Sequence, residues 1–320
     1  MQTQFAQNLA ELGGTHATPK QLANEDVSLE SLKHGQQIYH KHCVQCHGVS
    51  GDGNGPVGAF MYPRPRDYRK GIFKFTSTPY GSRPLRTDLI LTVNRGIQGT
   101  SMPAFKLLPE EEVAAVVDYV LALAQRGELE EQFITKYSDA VEFEEQVNPE
   151  DLRSEAVPTV VNRWVEAQGS EVSPLTSQPV FTMEHVARGK EAFLSDKWNC
   201  LKCHGADGRG QTKDNLAGNL KDAWGNPTRA ADLTSGILHG GQRPIDIYRR
   251  IYSGINGTPM PAFANALKED PDTAWDLVAF VMHITNARRA GERPSAGPIS
   301  PYVPVAAAEA PGDTNAETAE

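Results

Sequence analysis

The sequence lacks the features that would place it in a membrane or on a nucleic acid. None of its apolar runs approaches the roughly 20 residues that a spanning helix needs. Acidic residues outnumber basic ones, 40 to 31, and the net charge of −9 argues against binding to nucleic acid or to an anionic membrane surface. Apolar residues make up only 39% of the 320 positions. This length predicts two domains, and each would have a thin core unless another group supplied apolar bulk.

Cysteine is scarce, and its distribution is specific. All four cysteines fall in two pentapeptides, CVQCH at 43–47 and CLKCH at 200–204. Cys-x-x-Cys-His is typical of c-type heme attachment, because two thiols add to two vinyl groups and the adjacent histidine reaches the iron. The pairs of a four-cysteine zinc site usually lie about 15–20 residues apart, whereas 153 residues separate Cys46 from Cys200. A thioredoxin-like redox pair needs alternating strands and helices, which this sequence does not predict. We therefore expect two hemes c, attached at Cys43, Cys46, Cys200 and Cys203.

The sequence is repeated beyond the pentapeptides. GIQGTSMPAF (96–105) and GINGTPMPAF (254–263) agree at eight of ten positions. The methionine follows the motif histidine by 55 positions in the first half (102 − 47) and by 56 in the second (260 − 204). This spacing indicates an internal duplication. The predicted division is a polar arm (1–27), a first domain (28–127), an acidic connector (128–182), a second domain (183–290) and a disordered Pro/Ala/Glu tail (291–320).

Helical patterns flank each heme motif. Apolar residues at helical spacing predict a helix from Ser28 into Cys43. TDLILTVNRG predicts a short helix that ends at Gly96. PEEEVAAVVDYVLALAQRG predicts a helix with proline at its start, three acids in its first turn and a stop at Gly127. The same order returns in the second half. The N-terminal arm is expected to be loose, and the connector to be extended with one helix around 158–166.

This arrangement resembles class I cytochrome c, present twice, over about 210 of the 320 residues. The whole resembles the soluble diheme cytochromes c of bacterial respiratory chains. The resemblance implies an all-α fold with two domains, in each of which a few short helices and loops wrap around one covalent heme. Histidine and methionine would lie on opposite faces of each iron. The porphyrins would supply the bulk that the thin cores lack, so the heme-free chain is expected to be poorly folded.

Two histidines and two methionines are the predicted axial ligands, His47 with Met102 and His204 with Met260. A thioether is a soft, neutral donor, which suits iron that cycles between two charge states. Met102 and Met260 lie in matching loops, and the proline after each stiffens the backbone that presents the sulfur. Met61 has no counterpart in the repeat, and Met282 lies on the apolar stripe of the last helix, where we expect it in the core. His40 and His42, just before Cys43, and His239, in a glycine-rich loop, are the alternatives for bis-histidine ligation, although we expect all three to be ordinary surface or packing residues.

The resemblance also implies partners for the ligating histidines and for the heme propionates. A ligating histidine usually donates its second ring N–H to a carbonyl. In class I cytochromes c, a proline in the loop after the motif marks that carbonyl. Pro56 fits this position for His47, whereas Gln211 stands there in the second half. Guanidinium groups pair bidentately with carboxylates, and the implied propionate partners are Arg64, Arg66 and Arg229.

Three functional hypotheses follow. With both axial positions filled, the iron has no site for oxygen or peroxide, so the first hypothesis is a non-enzymatic carrier of single electrons between respiratory redox partners, such as a membrane complex. The second is a diheme cytochrome c peroxidase. It would need one open or switchable iron, and the matching methionine loops in both halves disfavour it. The third is a heme-bearing module of a membrane-anchored oxidase or dehydrogenase complex.

The expected location is periplasmic, or otherwise outside the cytoplasm, because thioether attachment of heme takes place there. The first residues, MQTQFAQNLAELGG, show neither the basic start nor the apolar run of a signal peptide. Export would then depend on an upstream segment, an anchor or a partner complex.

Overall fold

The computed structural model describes residues 2–24, 26–144 and 146–292, and the expected all-α fold is confirmed. These ranges contain helices, turns and two isolated β-bridges, with no extended strand among them. No helix within them is long and apolar enough to cross a bilayer. The tail predicted from 291 onward lies, from residue 293, outside the described residues.

The helices of the described ranges follow one another in the order of the repeat. They are α1 (Gln2–Gly13), α2 (Leu29–His42), α3 (Val44–His47), α4 (Arg86–Arg95), α5 (Glu110–Glu142), α6 (Pro149–Asp151), α7 (Val157–Ala167), α8 (Met183–Leu194), α9 (Leu201–His204), α10 (Lys213–Leu216), α11 (Pro244–Ser253), α12 (Ala264–Glu269) and α13 (Thr273–Arg289). A 3₁₀ turn (Gly58–Phe60) and a π-helical segment (Leu152–Ala156) lie between them. By position in the repeat, α2 to α5 correspond to α8, α9, α11 and α13.

Each domain is built on one crossing of two helices, α2 on α5 and α8 on α13. A glycine stands at each crossing point. A Cβ added to Gly35 would lie 2.0 Å from the carbonyl oxygen of Ala115, and one added to Gly189 would lie 1.9 Å from that of Asp276. Only a residue without a side chain permits this approach. The duplication seen in the amino-acid sequence is therefore also present in the structure.

Helix α5 continues well past its predicted end. It begins after Pro109 with three glutamates in its first turn, as the sequence predicts, but it runs through Gly127 to Glu142. The backbone of Arg69 passes against the helix at this glycine, where an added Cβ would lie 2.5 Å from the Arg69 carbonyl oxygen. The predicted stop at Gly127 is wrong, because this glycine allows close packing and does not end the helix.

The N-terminal residues are ordered against the extension of α5. Residues 2–13 form α1, and its Leu9 is buried. The ring of Phe5 packs on the rings of Phe133 and Tyr137, at centroid distances of 6.0 and 5.2 Å. The expectation of a loose arm is therefore wrong for residues 2–13, because the longer α5 provides an apolar surface that the sequence did not reveal.

A buried carboxylate attaches the connector to the first domain. The connector contains α7, where one helix was expected near 158–166, but the end of α5 and α6 also lie in it. The side chain of Glu128 is fully buried. It accepts hydrogen bonds from Arg83 Nε at 2.9 Å and from Trp164 Nε1 of α7 at 2.8 Å, and it lies 3.4 Å from Arg163. These partners replace the water that the carboxylate loses on burial.

The two domains contact each other through arginines that donate to backbone carbonyls. Arg250 of α11 donates to the carbonyl of Lys74 at 3.2 Å. In the opposite direction, Arg95 of α4 donates to the carbonyl of Gly240 at 3.0 Å. Helices α11 and α4 thereby each bind a loop of the other domain. The contact also brings His239 of the second domain to the cavity of the first.

Candidate heme sites

Each Cys-x-x-Cys-His motif forms a single helical turn. Cys43 joins α2 to the turn α3, and α9 is the corresponding turn of the second half. The His47 N–H donates to the Cys43 carbonyl at 2.9 Å, and the His204 N–H to the Cys200 carbonyl at 3.0 Å. The glycine after each histidine has a φ of +74° and ends the turn. Two thiols and an imidazole thus lie on one turn, as covalent heme attachment requires.

The four cysteines are free, half-buried thiols. Burial raises the pKa of Cys43 to about 12 and that of Cys200 to about 11, so both thiols are neutral at physiological pH. Within the described ranges, no group of three or more His, Cys, Asp and Glu side chains could hold a metal ion. The four-cysteine zinc site weighed from the sequence has no counterpart there.

Both motif histidines are neutral, and a loop carbonyl orients the ring of His204. Nδ1 of His204 lies 3.0 Å from the carbonyl oxygen of Ala231 and donates to it in the tautomer that leaves Nε2 free. Nδ1 of His47 is buried without a hydrogen-bond partner, although the backbone of Arg66 lies near enough to raise the pKa of the ring. Desolvation is the larger effect at both rings and lowers the pKa of each imidazole. Each would therefore offer a neutral nitrogen to a heme iron.

The backbone beside His47 does not belong to the loop predicted from the sequence. His47 makes no hydrogen bond to the carbonyl of Pro56, and the contact expected for Pro56 stays a prediction. Arg66 and Ala231 occupy equivalent places in the repeat, in PRPRDY and TRAADL. They follow their histidines by 19 and 27 positions (66 − 47 and 231 − 204). Because the spacing is unequal, the sequence does not reveal that Arg66 and Ala231 are equivalent. Only the folded loops place the backbone of Arg66 beside His47 and that of Ala231 beside His204.

The two methionine loops have the same hydrogen-bonded structure. The Ile97 N–H donates to the Met102 carbonyl at 3.0 Å, and the Met102 N–H donates to the Thr100 hydroxyl at 3.2 Å. The corresponding distances at Met260 are 3.2 and 3.3 Å. Both methionine side chains are half-buried. The repeat in the sequence is thus a repeat of one loop conformation that carries a thioether.

A cavity in the first domain brings the predicted ligands together. Cys43, Cys46, His47 and Met102 all line it. Most of its other walls are apolar, from Tyr68, Phe73, Leu89, Val93, Ile97, Phe105, Val116, Val117 and Val120. A porphyrin needs such an apolar slot with thiols and an imidazole at one side. The residues of this cavity fit a heme c.

Further side chains that could bind a metal line the same cavity. They are Met61, His42 and His239, the last of which belongs to the second domain. All three line the cavity and are therefore alternatives to Met102, and ligation by Met102 stays a prediction. Met282, by contrast, packs against the core of the second domain, as expected.

The second site has equivalent aromatic surroundings. Cys200 packs against the core that contains Phe193 and Trp198. The ring of Phe193 lies 6.3 Å from that of His204, and the ring of Trp198 lies 5.9 Å from that of Phe263 at the end of the methionine loop. These contacts join the attachment turn to the methionine loop around one apolar region, which fits a second heme c.

The three arginines predicted to bind propionates have different environments. Arg64 is exposed and donates weakly to Asn226 at 3.5 Å. Arg229 is exposed and lies 5.8 Å from the ring centroid of Tyr62. The Nη1 and Nη2 atoms of Arg66 are buried and have no hydrogen-bond partner, and burial lowers the pKa of this guanidinium to about 10. A propionate would supply the acceptor that these donors lack, so Arg66 fits the predicted role best.

Two residues at the contact between the domains, Lys74 and Trp224, could not be predicted as site residues from the sequence. Lys74 lines both the heme cavity and a polar pocket between the domains, and burial lowers its pKa to about 8. Trp224 of the second domain lies under the guanidinium of Arg66, with its ring centroid 4.2 Å from Cζ. Neither residue belongs to a motif or a repeat, because their position depends on the contact between the domains.

Comparisons with known proteins agree with two sites in one chain. Residues 30–120 match the family model described as cytochrome c oxidase, cbb3-type, subunit III, and residues 186–285 match the model described as cytochrome c. No curated protein matches the chain significantly. Among solved structures, a chain of the Kuenenia stuttgartiensis reducing HAO-like protein complex Kustc0457/Kustc0458 is similar. The identity is 29% and the TM-score 0.62, over 82% of this chain and 98% of that one.

Proposed function

The chain carries two cytochrome c domains in tandem, and we propose that it passes single electrons between redox proteins through two hemes c, each held by one histidine and one methionine. The two domain matches support a heme-bearing electron-transfer module. The observation that carries the finer proposal is the pair of methionine loops, which share one hydrogen-bonded conformation around Met102 and Met260.

Each proposed ligand has a property that suits its role. Desolvation keeps the imidazoles of His47 and His204 neutral, and each would bind one face of an iron. Met102 and Met260 would bind the opposite faces with neutral sulfurs, which raises the reduction potential relative to bis-histidine ligation. Two filled axial positions exclude oxygen and peroxide and leave electron transfer at the heme edge.

Optical spectroscopy of single variants tests the ligation. Ferric heme with a methionine ligand shows a weak far-red band from sulfur-to-iron charge transfer. We expect this band in the purified holoprotein, and we expect Met102→Ala and Met260→Ala each to remove about half of it. Met282→Leu is the matched control, because Met282 packs in the core and its replacement should leave the band intact. A holoprotein without the band, or a band that survives both alanine substitutions, would reject the proposed ligands.

The partners and location are also proposals. We infer an extracytoplasmic location from the chemistry of thioether attachment, and a membrane respiratory complex as one electron partner. The similarity to a chain of a reducing HAO-like complex favours a second candidate, in which this chain is a tightly bound electron-transfer subunit of an oxidoreductase.

Gentle fractionation of native cells separates the two candidates. A free carrier would elute near its own mass of 34.9 kDa, whereas a subunit would co-elute with another heme protein at constant stoichiometry. A chain recovered alone after gentle lysis would reject the subunit candidate. A chain that never leaves the complex would reject the free carrier.

A further inference from the structure

Arg66 belongs to two regions at once. Its backbone lies beside the axial histidine His47, and its side chain lines both the first-domain cavity and the polar pocket between the domains. Nη1 and Nη2 are buried without a hydrogen-bond partner, and the guanidinium forms no ion pair with any described residue. A buried guanidinium without an ion pair requires a hydrogen-bond acceptor for its N–H groups.

Trp224 places a second unused donor at the same point. Its ring lies 4.2 Å from the guanidinium of Arg66, and its indole Nε1 is buried without a hydrogen-bond partner. Trp224 comes from the second domain. Arg66 of the first domain and Trp224 of the second therefore lie in contact, and each has N–H groups that lack an acceptor.

The loop around Trp224 is held in place independently of any ligand. The carboxylate of Asp222 accepts the N–H groups of Trp224 and Asn226 at 3.0 and 2.9 Å. The Ala223 N–H donates to the carbonyl of Gly257 at 3.1 Å, and Gly257 lies in the second methionine loop. A Cβ added to Gly257 would lie 2.6 Å from Arg66 Nη1. The guanidinium is thus enclosed by the second domain.

The carboxylates nearest to this pocket are already engaged. Asp67 is held by Arg69 through two hydrogen bonds of 3.0 and 2.8 Å, and Asp222 caps its own loop. Lys74 adds another buried cation that lines both the cavity and the pocket. The pocket is lined by three carboxylates (Asp52, Asp67 and Asp222) and four cations (Arg64, Arg66, Arg69 and Lys74), so an anion that reached it from the heme cavity would balance the one excess positive charge.

We propose that Arg66 and, across the domain contact, Trp224 together bind a propionate of the first-domain heme, so that the second domain completes the heme site of the first. This inference rests on the proposed heme in the first cavity. The carboxylate accepts from Nη1 and Nη2 of Arg66 and from Nε1 of Trp224. The heme then links the two domains, and the second domain tunes the potential of the first heme through this contact.

Reduction potentials of the holoprotein test the proposal. Arg66→Gln removes the cation, so the ferric state gains stability and the potential of the first heme should fall. Trp224→Phe keeps the stacked ring and removes only the N–H, so the same heme should shift in the same direction by a smaller amount. Arg153→Gln is the matched control, because Arg153 is exposed in the connector and lines neither the cavity nor the pocket, and neither potential should move. The first heme is identified as the one whose potential falls in Met102→His.

Hydrogen exchange of the Trp224 loop, residues 222–228, provides a second readout. Exchange there should speed up in Trp224→Phe while the far-red band stays intact. An intact band with unchanged potentials in both variants would reject the propionate site and leave the proposed function standing. A shift in Arg66→Gln alone would reject the part played by the second domain. Potentials of the wild type that respond to added phosphate, with no response in Arg66→Gln, would assign the pocket to a free anion and reject the propionate.

Discussion

The hydroxyl of Tyr68 donates a hydrogen bond of 2.6 Å to the hydroxyl of Tyr39, which in turn donates to the carbonyl of Gly48 at 2.7 Å. Both tyrosines are buried beside the first attachment turn, and burial raises the pKa of each. Phe193 and Leu233 occupy the corresponding positions of the second domain, so this relay is a feature of the first domain alone.

Removing either hydroxyl of this relay should destabilise the protein unequally. Tyr39→Phe leaves a carbonyl and the Tyr68 hydroxyl unpaired, and we expect a loss of about 1–3 kcal/mol, whereas Tyr68→Phe should cost about 0.5–1.5 kcal/mol. The double variant should lose less than the sum, because both partners disappear together. Guanidinium unfolding followed by heme absorbance measures the three values. Strictly additive losses would show that the hydroxyls do not form a relay.

The helix crossings should not accept a methyl group. Gly35→Ala and Gly189→Ala would each place Cβ about 2 Å from a carbonyl oxygen of the facing helix, and overpacking of this kind costs roughly 1–3 kcal/mol. Gln37→Ala is the control, because Gln37 is exposed on the same helix as Gly35. Its substitution should change the free energy of unfolding by less than about 0.5 kcal/mol. Equal stability of Gly35→Ala and Gln37→Ala would argue against the crossing geometry.

The buried carboxylate of the connector should matter far more than an exposed one. Glu128→Gln leaves Arg83 and Arg163 beside a neutral amide, and breaking a buried pair costs about 3–5 kcal/mol. Glu131→Gln is the control, because its pair with Lys70 spans 3.5 Å at the surface and should contribute less than about 1 kcal/mol. Limited proteolysis around residues 143–150 should accelerate only in the first variant. Similar cleavage of both variants would refute the role given to Glu128.

The hydroxyl of Thr100 should keep the first methionine on the iron. It accepts from the Met102 N–H at 3.2 Å and donates to the Ile97 carbonyl at 2.7 Å. Thr100→Val removes both bonds, and a loss of about 1 kcal/mol in loop stability should raise carbon monoxide binding by the ferrous protein roughly fivefold.

Ser101→Ala is the control for this experiment, since Ser101 is exposed beside the same loop. Rapid, complete binding of carbon monoxide by one heme of the wild type would contradict the proposed ligation and favour a peroxidase-like enzyme. Equal binding of carbon monoxide by Thr100→Val and Ser101→Ala would show that the Thr100 hydroxyl does not keep Met102 on the iron.

Several features of the fold could be predicted because they depend on neighbours in the chain. The start of α5 follows from Pro109 and the three glutamates after it, which favour a helix N-terminus. Its end could not be predicted. The role of Gly127 depends on Arg69, a residue 58 positions earlier (127 − 69). Without knowledge of that contact, the glycine predicts the end of the helix. The same reasoning explains why α1 was expected to be loose.

The sequence by itself determined the number of hemes, and it predicts their attachment points, because two thiols and an imidazole act together within five consecutive residues. It also determined the two methionine loops, whose hydrogen bonds are local. The tertiary structure alone decided which backbone lies beside each histidine and which residues of the second domain enclose Arg66. These relationships join residues 19 to more than 150 positions apart, and no local pattern encodes them. They form only when each domain has folded and the two domains contact each other.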